Sequence, residues 1–452
     1  MTQVFRSIAH GSAVITASRL LLKVLALGSY YIILRKLSLH DYGIVTLALS
    51  ISGPVLAISG LGLDDLVFAN GARARGEKRF GEYQATIRGF LAVKFVLVIA
   101  LTLMLIWVQT LLGQKYQDLL AQFFLPLLCW IWVTNIRGFF DAYVQMCEEF
   151  SVYARASIVE SIIRLILVVG FFLFWEINIA TVLWAYVLSK ALGSAEVILA
   201  VFRHKFASVA LHASLIAYVR FVREKGAWEI ARMLVGQLLS NLGQWLLGIM
   251  VSVEAVALMS FATTLNSIVT QLSPFKQVLL PVMARLSAEA GSASLVARRM
   301  SKYGMWLAVV VVCVSAVVAP IGVAWMVPKY LPAIPLFYLA MVSQLINATT
   351  MSHGSLMYAY NEQRYLLGLS LFGTLSSFTL LPALTWTMGA YGVLIENHVS
   401  TIVIAWLRER RLRSKYGVST FRIQDLWHWT EEDRTTLLRV IAAVRTRVRS
   451  RL

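Results

Sequence analysis

Apolar runs of about 20 residues recur along the chain, and a helix needs about that length to cross the hydrocarbon core of a bilayer. Short polar segments separate the runs. Hydrophobic residues make up 59% of the chain and charged residues 14%, whereas soluble domains carry about 25% charged residues. A soluble fold of this composition would leave much apolar surface in water. We therefore predict an all-α integral membrane protein.

The apolar runs predict about twelve transmembrane helices. Their approximate bounds are 12–34, 44–63, 86–108, 119–140, 157–175, 180–202, 227–250, 255–274, 303–326, 333–352, 366–385 and 390–407. A polar segment divides them into two sets of six. The predicted parts are an N-terminal six-helix bundle at 1–202, a cytoplasmic linker at 203–226, a C-terminal six-helix bundle at 227–407 and a basic tail at 408–452.

The basic tail has apolar residues at helical spacing, namely Leu437, Ile441, Val444 and Val448. Arginines occupy its other faces. We predict an amphipathic helix on the anionic inner leaflet of the membrane, so membrane lipids are expected partners. The alternative is a solvated basic tail.

The positive charge of the chain, a net +18, predicts its orientation. With the N-terminus inside, roughly thirty lysines and arginines lie on the cytoplasmic side, where membrane proteins carry their excess of these residues. The outer loops then hold Arg35, Lys36, Lys115 and Lys329. Both termini are therefore predicted to be cytoplasmic. The same rule accounts for the net charge without nucleic acid as a partner.

The two halves carry a trace of duplication. Residues from 17 onward align without a gap on residues from 230 onward, which places Arg19 on Arg232 and Asp41 on Glu254. Paired halves are common in transporters, where the substrate site lies between them. The pattern favours a transporter.

Two cations, Arg19 and Lys23, lie one turn apart in the first predicted span, which has no acidic residue. Charges inside a span are costly and usually face a cavity or a partner. We interpret the pair as part of a binding site for an anionic ligand. The alternative is that both side chains extend to the inner headgroups. In the seventh span, Arg232 either joins this site or pairs with Glu229.

Uncharged polar side chains form stripes in the seventh and eighth spans, and they suit a hydroxyl-rich ligand. The predicted substrate-binding members are Gln237, Asn241 and Gln244 in the seventh span and Asn266, flanked by Thr263 and Thr270, in the eighth. Such residues also join neighbouring helices through hydrogen bonds, which is the alternative interpretation.

Other charges fall inside predicted spans. Glu396 and His398 are candidates for a proton path that couples transport, and the alternative is a polar cluster near a helix kink. Glu160 and Arg164 are spaced to pair along one helix, which predicts a structural ion pair. The sequence contains no pattern typical of a catalytic nucleophile, a metal site or a phosphate-binding loop. We predict no catalytic residues, no metal and no cofactor.

Three stretches resemble polysaccharide export proteins. The first is LSLHDYGIVTLALSISGPVLAISGLGLDDLVFANGARARGE, which places Asp41, Tyr42 and Gly43 between the first two spans. The others are PFKQVLLPVMARLSAE and YAYNEQRY. The chain resembles the Wzx-type flippases of the multidrug/oligosaccharidyl-lipid/polysaccharide (MOP) transporter superfamily.

The resemblance implies two six-helix bundles that form a V around a cavity lined by spans one, two, seven and eight. The cargo would be an undecaprenyl-diphosphate-linked oligosaccharide, carried from the inner to the outer leaflet of the bacterial cytoplasmic membrane for surface polysaccharide assembly. Arg19, Lys23 and Arg232 lie in suitable spans to receive its headgroup. A polysaccharide polymerase and a chain-length regulator are further expected partners.

Two alternatives differ from this interpretation. A drug/cation antiporter of the same superfamily would need an intramembrane carboxylate, and the first span offers cations instead. A membrane-embedded polymerase would carry a large outer loop with catalytic groups, and the predicted outer loops are short. We therefore predict that the chain is not an enzyme. A scaffolding role within an assembly complex remains compatible with the sequence.

Overall fold

The computed structural model of the chain describes residues 22, 25–61, 63–64, 67–68, 70–71, 80–111, 123–147, 149–203, 211–227, 230–231, 233, 236, 241–271, 290–360 and 362–428. Regular secondary structure in this part of the chain is helical throughout. Nine helices within it are long and apolar enough to cross a membrane. The prediction of an all-α integral membrane protein is confirmed. The number of spans, the V shape and the orientation of the termini stay predictions.

The α-helices are numbered in chain order. They are α1 (25–36), α2 (Leu39–Ser59), α3 (Phe80–Leu111), α4 (Phe124–Met146), α5 (Phe150–Phe174), α6 (Ile179–Arg203), α7 (Leu211–Phe221), α8 (Leu242–Met250), α9 (Val253–Gln271), α10 (Ala290–Met326), α11 (Ile334–Thr350), α12 (His353–Ala359), α13 (Gln363–Met388) and α14 (Ala390–Tyr416). Two 3₁₀ turns, Pro328–Ala333 and Ile423–Leu426, follow α10 and α14.

Two predicted segments contain helix that the sequence analysis did not assign, while the division into bundles, linker and tail stays a prediction. The segment 203–226, predicted as a linker, contains α7, whose Tyr218 and Phe221 are buried. The tail was predicted to begin at residue 408, but α14 continues to Tyr416 because the charged residues beyond the apolar run still favour a helix. The apolar part of the predicted tail helix, 437–448, lies outside the described residues.

The long helices expose large apolar side chains. On α3, Phe95, Val96 and Trp107 are 52%, 63% and 62% exposed, and on α10 Trp325 is 85% exposed. In water these faces would be unstable. In a bilayer they meet hydrocarbon, and the helix satisfies its own backbone groups. The exposed apolar faces therefore mark the surface that contacts lipid.

The described residues group into two compact units. The first consists of Met1–Leu265, Ala319–Phe337 and Leu367–Glu396, and the second of Asn266–Val318, Tyr338–Leu366 and Asn397–Leu452. In the first unit, a core that includes Phe90 and Phe139 joins α3, α4, α6 and α7. A Cβ atom on Gly89 would lie 2.1 Å from the carbonyl oxygen of Ser214, so α3 and α7 are in backbone contact there.

The second unit has a core of small and apolar side chains from α10, α11, α12 and α14, including Ala297, Ala348, Leu356 and Leu412. The chain after α14 folds back onto α10. Arg298 donates two hydrogen bonds to Asp425, at 2.6 and 2.7 Å. These bonds hold the pKa of the Asp425 carboxyl below its usual range. The segment 417–428 is therefore fixed to α10 rather than detached as a tail.

Candidate functional site

Four predicted substrate-binding residues, Arg19, Lys23, Arg232 and Gln237, lie outside the described residues. Their role stays a prediction. The other predicted residues, Asn241, Gln244, Asn266, Glu396 and His398, are described.

A close contact joins α2 to the start of α8 within the first unit. The indole Nε1 of Trp245 donates a hydrogen bond to the hydroxyl of Ser50, at 2.7 Å. A Cβ atom on Gly53 would lie 2.9 Å from the side-chain nitrogen of Asn241. Pro54 lacks an N–H, so the carbonyl of Ser50 loses its helical partner. This stretch of α2 is therefore both weakened as a helix and packed tightly against α8.

Gln244 lies on the same short helix as Trp245. Its side chain is partly exposed, and its amide makes no hydrogen bond to another described residue. A polar amide inside a membrane protein normally finds a partner. Of the predicted stripe, Gln244 thus has the surroundings that a ligand contact requires, whereas Asn241 packs against α2.

Asn266 belongs to a hydrogen-bond network between α9 and α11 in the second unit. Its amide nitrogen donates to Ser343 at 3.1 Å, and its amide oxygen accepts from Gln344 at 2.8 Å. Gln344 also donates to Thr270 at 2.5 Å. Both ends of the Asn266 amide are occupied, so these contacts match the alternative interpretation, in which Asn266 joins two helices.

The two coupling candidates are buried in α14 and bonded to neighbouring helices. Glu396 accepts a hydrogen bond of 2.5 Å from the hydroxyl of Ser377 on α13. The Nε2 atom of His398 donates to the carbonyl oxygen of Leu339 on α11, at 2.8 Å. Each group therefore has a fixed polar partner. A role in proton movement stays a prediction.

Four aromatic rings meet near the turn between α1 and α2, and we call them the turn-end cluster: Tyr30, Tyr42, Phe261 and Tyr330. The hydroxyls of Tyr30 and Tyr42 are 2.5 Å apart. The ring centroids of Phe261 and Tyr330 are 4.7 Å apart, and those of Tyr42 and Tyr330 are 5.9 Å apart. The cluster joins α1, α2, α9 and the 3₁₀ turn at Pro328–Ala333. Packed rings of this kind exclude water from that end of the unit.

A group of charged side chains, which we call the charge cluster, lies among α4, α5 and α6. Its members are Arg137, Asp141, Glu160, Arg164 and Lys190. Arg137 is 2% exposed; it donates to Asp141 at 2.6 Å and to the carbonyl oxygen of Gly193 at 2.5 Å. Arg164 donates to Glu160, which confirms the predicted ion pair.

Arg137 is a buried charge that the sequence analysis did not single out. It lies inside α4 and is buried because Asp141 and a backbone carbonyl satisfy its charge. Arg137 and Asp141 are four residues apart, the same spacing that identified Glu160 and Arg164. The spacing therefore predicts this ion pair too, but the predicted span ended at residue 140 and left Asp141 outside it.

Lys190 differs from the other members of the charge cluster. Its ammonium lies 4.5 Å from the ring centroid of Trp130, and no described carboxylate forms an ion pair with it. Arg164 lies over the ring of Tyr186 at 4.8 Å. Cations over aromatic faces are stabilised by the ring quadrupole. The cluster therefore combines aromatic rings with a cation that has no acidic partner among the described residues.

Residues 8–287 match the family described as polysaccharide biosynthesis protein. This chain belongs to that family. The match covers more than half of the chain and confirms the resemblance to polysaccharide export proteins. No curated protein matches the chain.

Solved structures with the same fold come from two groups. A multidrug resistance MATE family transporter of the MOP superfamily, in an inward-facing conformation, gives a TM-score of 0.68 at 16% identity over 86% of this chain and 94% of its own. The lipid II flippase MurJ, in an inward closed conformation, gives a TM-score of 0.69 at 11% sequence identity, over 97% of this chain and 93% of its own. A mutant of the Vibrio cholerae MATE transporter VcmN gives a TM-score of 0.58 at 17% sequence identity, over 89% of this chain and 99% of its own. This chain therefore has the MOP transporter fold.

Proposed function

We propose that this polysaccharide biosynthesis protein flips an undecaprenyl-diphosphate-linked oligosaccharide from the inner to the outer leaflet of a bacterial cytoplasmic membrane. The family and the shared fold with a lipid II flippase support the class of cargo. The reaction moves a molecule and changes no covalent bond, so no catalytic residue is needed.

The turn-end cluster is the main support for the proposed alternating-access mechanism. Under the predicted orientation, the turn between α1 and α2 faces the outside of the cell. The packed rings of Tyr30, Tyr42, Phe261 and Tyr330 then close the outer end in the described conformation. Alternating access requires such a closure, which must open before the headgroup leaves.

The cargo headgroup needs a polar path because its charges cannot enter hydrocarbon. Removing even one charge from water costs many kcal/mol unless other groups replace the lost hydration. Arg19, Lys23 and Arg232 would supply positive charge in the proposed cavity, and Gln237, Asn241 and Gln244 would supply hydrogen bonds. The polyprenyl tail stays in the lipid while the headgroup crosses.

Two energy sources fit this reaction. The membrane potential contributes about 2.3 kcal/mol per elementary charge at 100 mV, and it favours outward movement of an anion. Proton coupling through Glu396 and His398 would add to it. Their buried positions and their hydrogen bonds to neighbouring helices support this role.

The test measures where the lipid-linked glycan is exposed. Cells that carry the wild-type protein should present the glycan to a membrane-impermeant periodate label, and cells without the protein should keep it facing the cytoplasm with its synthesis intact. The variant Arg19→Glu with Lys23→Glu should insert normally but trap the glycan inside. The matched control, Arg35→Glu with Lys36→Glu, makes the same charge change on exposed residues at the C-terminal end of α1 and should export normally.

Three results would contradict the proposal or part of it. Unchanged glycan exposure without the protein would reject the flippase. Export of single unpolymerised units in its absence would indicate a polymerase instead. Normal export by the Arg19 and Lys23 variant would reject their role in the cavity while leaving the flippase itself intact.

A further inference from the structure

The side of α6 that carries Tyr186 and Lys190 points away from lipid. Successive residues of an α-helix are turned by about 100°, so Lys190 lies roughly opposite Leu188, Leu192 and Leu199. Those leucines are 39%, 57% and 60% exposed and form the lipid face of α6. Tyr186 and Lys190 are only partly buried although they face inward. Part of the surface of both residues therefore stays accessible on the inward side of α6.

The facing side of α4 presents matching groups. Trp130, Thr134 and Arg137 are spaced four and three residues apart and share one face of the helix. The hydroxyl of Thr134 and one terminal nitrogen of Arg137 are buried and have no hydrogen-bond partner among the described residues. Unsatisfied donors inside a protein are costly and normally have a ligand or a water as partner. Both groups adjoin the helix face that meets Lys190 and Gly193.

Among the described residues, the charge cluster carries one more positive than negative charge. Arg137, Arg164 and Lys190 face the carboxylates of Asp141 and Glu160, which form ion pairs with the two arginines. Lys190 is the member left over. An isolated cation inside a membrane-spanning segment is unfavourable. A single negative charge placed beside it would bring the cluster to neutrality.

We propose that Trp130, Thr134, Arg137, Tyr186 and Lys190 form a subsite for one carboxylated sugar of the transported glycan, such as a hexuronic acid. This inference rests on the proposed function. The aromatic rings of Trp130 and Tyr186, with centroids 5.9 Å apart, offer apolar faces to the sugar ring. Lys190 pairs with its carboxylate, and the orphaned donors of Thr134 and Arg137 bind oxygen atoms of the sugar.

The single excess positive charge favours a hexuronate over the diphosphate as the ligand of this subsite. A diphosphate diester carries two negative charges and would leave the cluster with one uncompensated anion. A hexuronate carries one and matches the excess. Stacking on aromatic faces also favours a sugar ring over a phosphate, which has no apolar face. The diphosphate is therefore assigned to a different place in the protein.

The experiment uses the full chain in lipid nanodiscs and three soluble probes. They are a tetrasaccharide of alternating glucuronic acid and N-acetylglucosamine, the same tetrasaccharide with its carboxyl groups reduced to alcohols, and inorganic pyrophosphate. Wild-type protein should bind the acidic tetrasaccharide about tenfold more tightly than the reduced form, the effect of one charge-assisted contact. Lys190→Gln should remove this difference, and Trp130→Leu should weaken both tetrasaccharides.

The control variant is Lys36→Gln. Lys36 also lies over an aromatic ring, that of Phe172 at 4.8 Å, but it is exposed and outside the charge cluster. The Lys36→Gln protein should bind all three probes as the wild type does.

Two outcomes would overturn the subsite. One is equal binding of the acidic and reduced tetrasaccharides by the wild type, including the case in which neither binds. The other is a loss of pyrophosphate binding in Lys190→Gln that matches its loss of tetrasaccharide binding, which would assign the cluster to the diphosphate. Failure of the proposed function is distinct, since it is read from glycan exposure on cells.

Discussion

The ammonium group of Lys329 donates a hydrogen bond to the carbonyl oxygen of Leu37. A second bond of 3.3 Å reaches the carbonyl oxygen of Arg35. The carbonyl groups at the end of a helix have no partner within it, and a cation there also complements the helix dipole. Lys329 thus caps α1 from the 3₁₀ turn at Pro328–Ala333. This contact and the turn-end cluster fix the same end of the first unit.

We expect that a cross-link within the turn-end cluster stops export. In a chain whose native cysteines are replaced, Tyr42→Cys with Tyr330→Cys places two thiols where rings 5.9 Å apart now pack. A short bifunctional thiol reagent should hold this end closed and abolish glycan exposure on cells. Cleaving the cross-link should restore it. Export that continues at the normal rate in fully cross-linked protein would show that this end need not open.

Gly43→Ala should destabilise the protein by about 1–3 kcal/mol, the usual cost of overpacking. A Cβ atom at Gly43 would lie 2.2 Å from the carbonyl oxygen of Val253, a backbone atom that cannot move aside cheaply. The measurement is the midpoint of thermal unfolding in detergent.

The matched control for Gly43 is Gly170→Ala, because nothing lies within 4 Å of a Cβ atom at Gly170. Alanine favours a helix over glycine by about 1 kcal/mol, so this variant should be equal to the wild type or slightly more stable. Equal midpoints for Gly43→Ala and wild type would contradict the contact between α2 and Val253.

Glu362 should make the stability of the second unit depend on pH. Burial raises the pKa of its carboxyl, but hydrogen bonds from Lys415, Tyr416 and Arg411 outweigh burial and lower the pKa from 4.5 to about 2. A carboxylate with a lowered pKa contributes stability that is fully present above pH 4.5 and is lost as the pH falls towards 2. Glu362→Gln should therefore cost about 1–3 kcal/mol at neutral pH.

The measurement for Glu362 is the difference in unfolding midpoint between wild type and Glu362→Gln from pH 7 to pH 3. This difference should shrink as the pH falls below 4.5. The control is Glu196→Gln, which removes an exposed pair with Arg155 and should cost less than about 1 kcal/mol at any pH. A constant difference across the pH range would show that the Glu362 carboxylate does not stabilise the fold through its charge.

Glu396→Gln should remove the response of transport to a pH gradient if Glu396 carries the coupling proton. The amide keeps the size of the side chain and its bond to Ser377 but cannot titrate. Transport of lipid-linked glycan in vesicles, with and without an imposed gradient, measures the effect. Glu176→Gln, at an exposed position, should respond as the wild type does. A retained response in Glu396→Gln would exclude the group from coupling.

Much of the fold follows from hydropathy along the chain. Predicted spans such as 180–202 and 390–407 coincide with the cores of α6 and α14, because the requirement for about 20 apolar residues acts on each segment separately. The pair of Glu160 and Arg164 was also accessible, since both residues lie on one helix at a fixed spacing. The composition of one segment, or the spacing of two residues along one helix, is enough to predict spans and ion pairs of this kind.

The partners of single polar side chains required the tertiary structure. Asn266 was predicted to contact a ligand, which stays a prediction, and the structure shows its amide bonded to Ser343 and Gln344 on α11. Lys190 had no assigned partner in the sequence, and the structure places it over Trp130 from a different helix. These pairings depend on how each helix is rotated about its axis and on which helix packs against it.

The sequence by itself thus determined that this is an all-α membrane protein and where most of its described helices run, and it predicted on which side of the membrane its positive charge lies. These properties depend on the solvent that each short segment prefers. Only the tertiary structure decided that Arg137 contacts the carbonyl oxygen of Gly193 on another helix and that Tyr42 meets Tyr330. Such contacts join residues far apart in the chain, and packing between helices selects them.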